Sequence, residues 1–300
     1  MSEAPQLCGF LNVLKPPGMS SAQVVGYVRW LMKGAKIGHA GTLDPEAAGV
    51  LPLMVGKAAR LFDYMQDKEK VYVTEVAFGC STTTQDAQGE GLAYSDHYPT
   101  EEELRAVLPR FTGQLMQRPP MFSALKQNGT PLYKLARKGM EAEIPARPVT
   151  VHSLEFRGMT ENHGALLAVH CSKGFYVRTL CHDLGEALHC PSHMRFLLRA
   201  QSGPFTLKTA CTLEEVARAA KEDQLAQRLL PPEAALGHLE MMDVPQGLEK
   251  AVRNGLPLPW PRFAPRLIHP DAPFGLRLNG QLIAIAQRRD QLVKIRTWLG

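Results

Sequence analysis

The sequence predicts an α+β protein with a small β-rich module at its C-terminal end. Apolar residues recur at helical spacing over 22–33, which predicts an amphipathic helix. Residues 71–79 alternate in the manner of a half-buried strand. A proline-rich stretch, 244–265, resembles a domain boundary, and 274–298 then has the pattern of short strands. Both helices and strands are therefore expected in the body of the protein.

Local signals predict the other elements in chain order. Ser20 and Ser21 are candidate N-caps of the first helix. Thr100 is followed three residues later by Glu103, a capping-box signal for a helix over 101–110. The remaining predictions are a polar loop from residue 81, an irregular functional loop at 118–131, a short basic helix at 132–139, strands at 149–157 and 165–171, and helices at 177–189 and 212–229.

Length and composition are those of an ordinary globular protein. The chain has 300 residues, of which 45% are hydrophobic and 21% charged, and it suggests about two domains on a prior of roughly 150 residues each. Its six cysteines form no Cys-x-x-Cys pair, which fits free thiols in a reducing compartment. No signal peptide and no apolar run of the ~18 residues that span a bilayer is apparent. We expect a cytoplasmic protein that does not enter the membrane.

Basic residues are concentrated in two zones, although the net charge is only +5. Residues 253–300 carry eight basic and two acidic residues, a net charge of +6. Residues 118–147 carry six basic and two acidic residues, a net charge of +4. Such zones are typical of proteins that bind a polyanion. On composition alone, solvated basic faces without a partner explain them equally well.

The most informative segment is 38–56, which places one carboxylate, Asp44, among glycines and small apolar residues. Pro45 biases Asp44 toward an extended backbone. The only other charge nearby is Glu46, which could raise the pKa of Asp44 and is expected to point away. A carboxylate on such a constrained, nearly apolar loop indicates a positioned reactive group.

Two other kinds of site are disfavoured. The cysteines and histidines of 181–193 do not have the spacing of a zinc site. The glycines of 38–56 match neither the Walker A pattern nor G-x-G-x-x-G, so a nucleotide cofactor is not expected.

Five blocks, in order over residues 9 to about 205, resemble motifs of the TruB-type tRNA pseudouridine synthases. The Asp44 segment is similar to the family signature GHxGTLDPxAxGVL. The other blocks are KPPGMSS at 15–21, KVY at 70–72 with TQDAQG at 84–89, QRPPMFSALK at 117–126 with LYKLAR at 132–137, and SKGFYVRTL at 172–180 with DLG at 183–185. The C-terminal residues resemble a PUA-type RNA-binding domain in length, position and charge.

The resemblance implies a pseudouridine synthase fold with a mixed, mainly antiparallel central sheet flanked by helices and loops. It implies a catalytic domain at 1–240, with an RNA-binding insertion at about 118–147, and a PUA-like domain at 241–300. It further implies isomerisation of uridine 55 in the T-loop of tRNA, without a cofactor or metal. We expect a monomer that binds the T-arm of tRNA and needs no protein partner.

The resemblance also implies roles for individual residues. Asp44 would be the nucleophile, attacking either C6 of the base or C1′ of the ribose, and Arg178 would pair with it. Tyr72 would stack on the target uracil and help to remove the C5 proton. The uridine would be flipped out, because its reacting atoms are inaccessible in a folded loop. Six more residues are implied to contact the substrate: His39, Tyr176, Leu197, Asp86, Lys126 and Arg137.

Two alternative functions are compatible with the same motifs. A guide-RNA-dependent synthase of the Cbf5/dyskerin type would share the fold, but the blocks at 117–126 and 132–137 favour a stand-alone enzyme. A non-catalytic protein that binds or folds tRNA would also share the fold. The presence of both Asp44 and Arg178 disfavours that alternative.

Overall fold

The computed structural model describes residues 7–65, 69–123, 125–127, 129–136, 138–140, 142–263, 267, 269 and 271–300. The strands in this part of the chain are β1 (Gly9–Lys15), β2 (Ile37–His39), β3 (Ala48–Val55), β4 (Lys70–Phe78), β5 (Cys80–Thr82), β6 (Gly91–Tyr94), β7 (Gly113–Gln117), β8 (Lys126–Gln127), β9 (Thr130–Pro131), β10 (Arg147–Thr160), β11 (Gly164–Cys171), β12 (Ser192–Ser202), β13 (Phe205–Thr206), β14 (Met241–Asp243), β15 (Leu258–Pro259), β16 (Phe274–Leu278), β17 (Gln281–Arg289) and β18 (Leu292–Trp298). The helices are α1 (Ser21–Leu31), α2 (Glu101–Val107), α3 (Leu132–Ala136), α4 (Val177–Ala187), α5 (Leu213–Lys221), α6 (Leu225–Arg228) and α7 (Glu249–Arg253).

Nine of the described strands form one central sheet. Its main order is β1-β3-β12-β4-β11-β10-β7, with β2 beside β3 and β13 beside β12. Only the β3–β12 pair is parallel in this described sheet, and the other neighbours are antiparallel. The predicted mixed, mainly antiparallel sheet is thus confirmed. Strand β12 lies between β3, which follows the Asp44 loop, and β4, which carries Tyr72.

The second sheet, within the described residues, has the order β14-β16-β17-β18-β15. It packs on the central sheet through a shared apolar cluster in which Phe10 and Met54 join Leu282, Ile285 and Leu299. The prediction of a boundary at 244–265 is wrong, because that stretch contains α7 and β15, and β15 pairs with β18. The proline-rich stretch therefore belongs to the small sheet.

The predicted helices form where capping signals occur. Ser20 caps α1, Thr100 caps α2 and Thr212 caps α5, each with a complete capping box. The single helix predicted at 212–229 is wrong, since α5 ends at Lys221 and α6 begins at Leu225. Between them Asp223 has a φ of 55°, and the Gln224 N–H bonds to the carbonyl of Ala219, which closes the first helix.

Several strands of the central sheet, among them β1, β3 and β12, were not predicted from the sequence. β1 and β3 are buried along nearly their whole length, so they lack the polar–apolar alternation that marks a one-sided strand. β12 completes the middle of the sheet. The loop predicted at 118–131 contains the short β8–β9 hairpin. Among the described helices, none is both long and apolar enough to cross a membrane.

Candidate functional site

Asp44 and Arg178 meet at the centre of the site. Asp44 lies in the loop between β2 and β3, and Arg178 lies in the first turn of α4. The Arg178 Nε atom is 3.0 Å from Asp44 Oδ2, and Nη2 is 3.4 Å from Oδ1. The Arg178 side chain is 6% exposed, whereas that of Asp44 is 39% exposed. The guanidinium thus grips both carboxylate oxygens from the protein side and leaves the carboxylate accessible.

Further contacts hold the Arg178 guanidinium in place. Its Nη2 donates to the carbonyl of Phe122 at 3.0 Å, and Nη1 donates to the carbonyl of Thr84 at 3.5 Å. The Nη1 atom is also 3.9 Å from Asp86 Oδ2. Asp86 itself accepts hydrogen bonds from the Thr84 hydroxyl and the Gln88 N–H, so it shapes the turn that contacts Arg178.

The loop that carries Asp44 is clamped on both sides of the carboxylate. The Ser21 hydroxyl accepts from the Leu43 N–H at 2.9 Å and donates to the Leu43 carbonyl at 3.0 Å. The fully buried Lys15 ammonium donates to the carbonyls of Pro16, Met19 and Pro45 at 2.6–2.7 Å. These bonds fix the backbone on either side of Asp44.

Arg199, on β12, holds the N-terminal part of the same loop and the start of β3. It is 0% exposed, and it donates to the carbonyls of Gly41 at 3.1 Å, Thr42 at 3.2 Å and Val50 at 2.8 Å. At Gly49, whose φ is 116°, a Cβ atom would lie 2.3 Å from the Arg199 carbonyl oxygen. Only glycine lets β3 approach β12 this closely. Sequence reasoning missed the roles of Lys15 and Arg199. For Lys15 a signal was available, because it is the first residue of the KPPGMSS block.

Burial raises the pKa of Asp44, Arg178 opposes this shift, and the neighbouring charge of Asp86 adds to it. Glu46 is exposed but lines the larger cavity together with Asp44, so the expectation that it points away is not confirmed. Burial lowers the pKa of Lys15 to about 8, so its ammonium is protonated at neutral pH.

Two adjoining cavities share Asp44 and Arg178. The larger has a volume of about 660 Å³ and the smaller about 260 Å³. The larger volume lies within the usual range for ligand sites. The residues named from the sequence divide between them: His39 and Asp86 line the larger cavity, Tyr72 and Tyr176 line the smaller one, and Asp44, Arg178 and Leu197 line both.

The two tyrosines of the smaller cavity are held differently. Tyr72 is buried on β4, where the nearby Arg199 guanidinium opposes the burial-driven rise of its pKa. Burial raises the pKa of Tyr72 to about 12, so the phenol keeps its proton at neutral pH. Tyr176 is anchored through its backbone, which donates to Gln117 Oε1 at 2.8 Å and accepts from Gln117 Nε2 at 3.0 Å.

One described residue named from the sequence is not brought to the cavities. Lys126 is exposed on β8 and lines neither of them. Arg137 lies outside the described residues. The insertion instead contributes Phe122 and Tyr133 to the larger cavity, and these were not named as site residues. Both belong to the blocks quoted above, so the motif positions were a signal that could have identified them.

Comparisons with known proteins agree with this geometry. Residues 29–177 match the family model described as TruB family pseudouridylate synthase (N terminal domain), and 178–237 match that of the tRNA pseudouridylate synthase B C-terminal domain. The chain is 43% identical over 286 residues to tRNA pseudouridine synthase B of Pelotomaculum thermopropionicum, covering 93% of this chain and 90% of that one. It is 45% identical over 252 residues to the protein of the same name from Ruegeria pomeroyi, covering 84% and 83%. A solved Cbf5-Nop10-Gar1 complex contains a chain with a TM-score of 0.72 and 25% identity, covering 98% of this chain and 84% of that one.

Proposed function

The chain belongs to the TruB family of pseudouridylate synthases, and we propose that it isomerises uridine 55 in the T-loop of tRNA with Asp44 as the nucleophile. Relatives at 43–45% identity over most of the chain are tRNA pseudouridine synthases, so the reaction is the formation of pseudouridine in tRNA. The observation that supports Asp44 as the nucleophile is its forked ion pair with Arg178 where the two cavities meet.

The reaction breaks the N1–C1′ bond, turns the uracil and forms a C5–C1′ bond. The C5 proton is lost and N1 gains a proton, so no external reactant is consumed. An ionised Asp44 attacks C1′ or C6, forms a covalent adduct and is released when the new bond is complete. Burial alone would favour the neutral carboxyl, and Arg178 stabilises the ionised form.

A flipped uridine fits the two cavities. Extraction of a base from its stack costs a few kcal/mol, which pocket contacts offset. We assign the uracil to the smaller cavity, where Tyr72 and Tyr176 supply aromatic rings and Leu197 an apolar wall. We assign to Tyr72 the stacking on the uracil, and its phenol is protonated at neutral pH because burial raises its pKa to about 12. We assign His39, in the larger cavity, to the space that the extruded base leaves.

We assign tRNA binding to two basic regions. The insertion at 118–147 borders the larger cavity through Phe122 and Tyr133, and Lys126 is exposed beside it. We place Arg137 in the same contact from its sequence position. The domain at 241–300, which contains the small sheet, would add phosphate contacts to those of the catalytic domain at 1–240. We propose that one copy of the chain acts without a guide RNA or protein partner.

The test is the release of tritium from a tRNA transcript labelled at C5 of uridine, with no guide RNA added. We expect Asp44→Asn to lose at least about 10⁴-fold in rate, as removal of a nucleophile does in other enzymes. Its affinity for the tRNA should stay within a few-fold of wild type. Asp96→Asn is the matched control, because it neutralises an exposed carboxylate that lines neither cavity.

Each outcome of this assay distinguishes between the functions considered. Tritium release by Asp44→Asn at the wild-type rate would refute the role given to Asp44. Release by wild type only with an added guide RNA would support the Cbf5-type function. Tight binding of tRNA with no release by wild type would support a non-catalytic protein.

A further inference from the structure

A cluster of metal-ligand side chains lies outside both catalytic cavities. It consists of Glu69, His152 and His170, and one ligand atom from each lies within 4.8 Å of the others. The His170 Nε2 atom is 2.9 Å from Glu69 Oε2, and His152 Nε2 is 3.2 Å from Glu69 Oε1. The two imidazole rings are 4.7 Å apart. Both imidazoles thus direct the same nitrogen at one carboxylate.

The sheet places this cluster on the face opposite the catalytic side chains. Val169 and Cys171 point into the core, so His170 between them points outward. A β-bulge in β10 sets two residues, His152 and Ser153, against His170. Tyr72 is buried opposite Val169 in the ladder and therefore lies on the inner face. The cluster is separate from the uridine site.

The geometry points to a binding site for a divalent transition-metal ion, of which Zn²⁺ is the representative, at Glu69, His152 and His170. Two imidazoles and one carboxylate are a ligand set found in zinc sites that keep a position open for water. Bonds of about 2.0–2.2 Å in a tetrahedral site place ligand atoms roughly 3.4 Å apart. The 2.9 Å and 3.2 Å separations, which run to the two different carboxylate oxygens, are close to that spacing. The two imidazole nitrogens lie within 4.8 Å of each other and would move together on binding.

Access and ligand type agree with this assignment. The three side chains are 36–46% exposed, so an ion and its remaining waters can enter from solvent. Imidazole nitrogen favours zinc, copper, nickel and cobalt over calcium or magnesium, which prefer oxygen. A bound ion would link β10 and β11 to the residue that precedes β4, and so stabilise this end of the sheet.

The experiment is a titration of the full chain with Co²⁺, followed by visible absorption, since Co²⁺ reports its ligands. We expect d–d bands that saturate at one equivalent and carry no thiolate charge-transfer band. The second condition excludes the free cysteines as ligands. In parallel, Zn²⁺ should raise the melting temperature of the chain.

Single variants assign the bands to the cluster. We expect His152→Gln and His170→Gln each to weaken Co²⁺ binding about tenfold or more and to abolish the Zn²⁺-dependent rise in melting temperature. His238→Gln, which changes another exposed histidine, is the matched control. All three variants should keep tritium release from tRNA, which shows that they fold. Any of three outcomes would overturn the proposal and leave the cluster as a hydrogen-bonded group. They are a thiolate charge-transfer band, unchanged Co²⁺ binding by His170→Gln, and the absence of d–d bands at millimolar Co²⁺.

Discussion

The loop at 40–47 and the insertion at 118–147 border the same cleft but use their cations in opposite ways. Around the loop, Lys15 and Arg199 are fully buried and donate to backbone carbonyls of the protein itself. In the insertion, Lys126 is exposed. A reactive group must be held in a fixed position, and the N–H groups that hold its loop are not available to a ligand. Phosphate recognition needs N–H donors that face solvent. Buried cations should therefore control the rate, and exposed ones the affinity.

Arg178→Lys tests whether the geometry of the fork matters, because it keeps the charge. Lysine cannot bind both oxygens of Asp44 and also reach Phe122, so we expect the single-turnover rate to fall about 10³-fold. Arg105→Lys changes an exposed ion pair with Glu101 and is the control, so its single-turnover rate should equal that of wild type. A near-normal rate in Arg178→Lys would mean that charge alone is sufficient.

Arg199→Met tests whether the loop clamp serves the chemistry. The change leaves the carbonyls of Gly41, Thr42 and Val50 without their buried donor, so the free energy of unfolding should fall by about 3–5 kcal/mol. The rate at saturating tRNA should fall roughly 10²-fold through displacement of Asp44.

The rate of Arg199→Met is measured at a temperature where circular dichroism shows that it is folded. Arg157→Met, in an exposed pair with Glu155, should change the free energy of unfolding by less than about 0.5 kcal/mol. If folded Arg199→Met reacts at the wild-type rate, the clamp contributes to stability alone.

Asp86→Asn should shift the pH profile of the reaction. The pKa of Asp44 is raised and Asp44 must be ionised, so the rate falls with decreasing pH sooner than for a free aspartate. Asparagine keeps an acceptor for the Gln88 N–H but removes a charge that raises this pKa. The acid limb should therefore move to lower pH, with a rate loss of about tenfold at neutral pH from the weaker hold on Arg178. Asp96→Asn, at an exposed site, is the control and should leave the acid side of the pH–rate profile unchanged. If Asp86→Asn also leaves it unchanged, the charge of Asp86 does not act on the pKa of Asp44.

Lys126→Ala has the smallest expected effect. Loss of one phosphate contact should weaken tRNA binding by about two- to fivefold and lower the slope of log K against log salt by roughly 0.7–0.9. The rate at saturating tRNA should be unchanged, and adding Arg137→Ala should weaken binding further. Lys221→Ala, at an exposed position on α5, is the control in filter-binding assays. A salt slope equal to that of wild type would remove Lys126 from the interface.

Helices and site positions could be predicted where a signal is local or belongs to a motif. Ser20 and Thr100 were recognised as caps because the capping pattern spans only a few residues. Asp44 and Arg178 were paired across 134 positions because their motifs resemble those of one family. The strands β1 and β3 carry no such pattern, since burial on both faces removes alternation.

The sequence indicated the candidate carboxylate Asp44, the capped helices and the two basic zones, because each depends on residue type and short spacing. The pairing of Asp44 with Arg178 came from the family resemblance of two distant motifs. The tertiary structure alone decided that Lys15 and Arg199 clamp the Asp44 loop. It also decided that a bulge sets His152 beside His170 and that the proline-rich stretch joins the small sheet. The clamps depend on backbone carbonyls, which every residue carries, so residue type does not reveal which carbonyls will be bound. The other features depend on strand pairing and register, which are set only when distant segments meet.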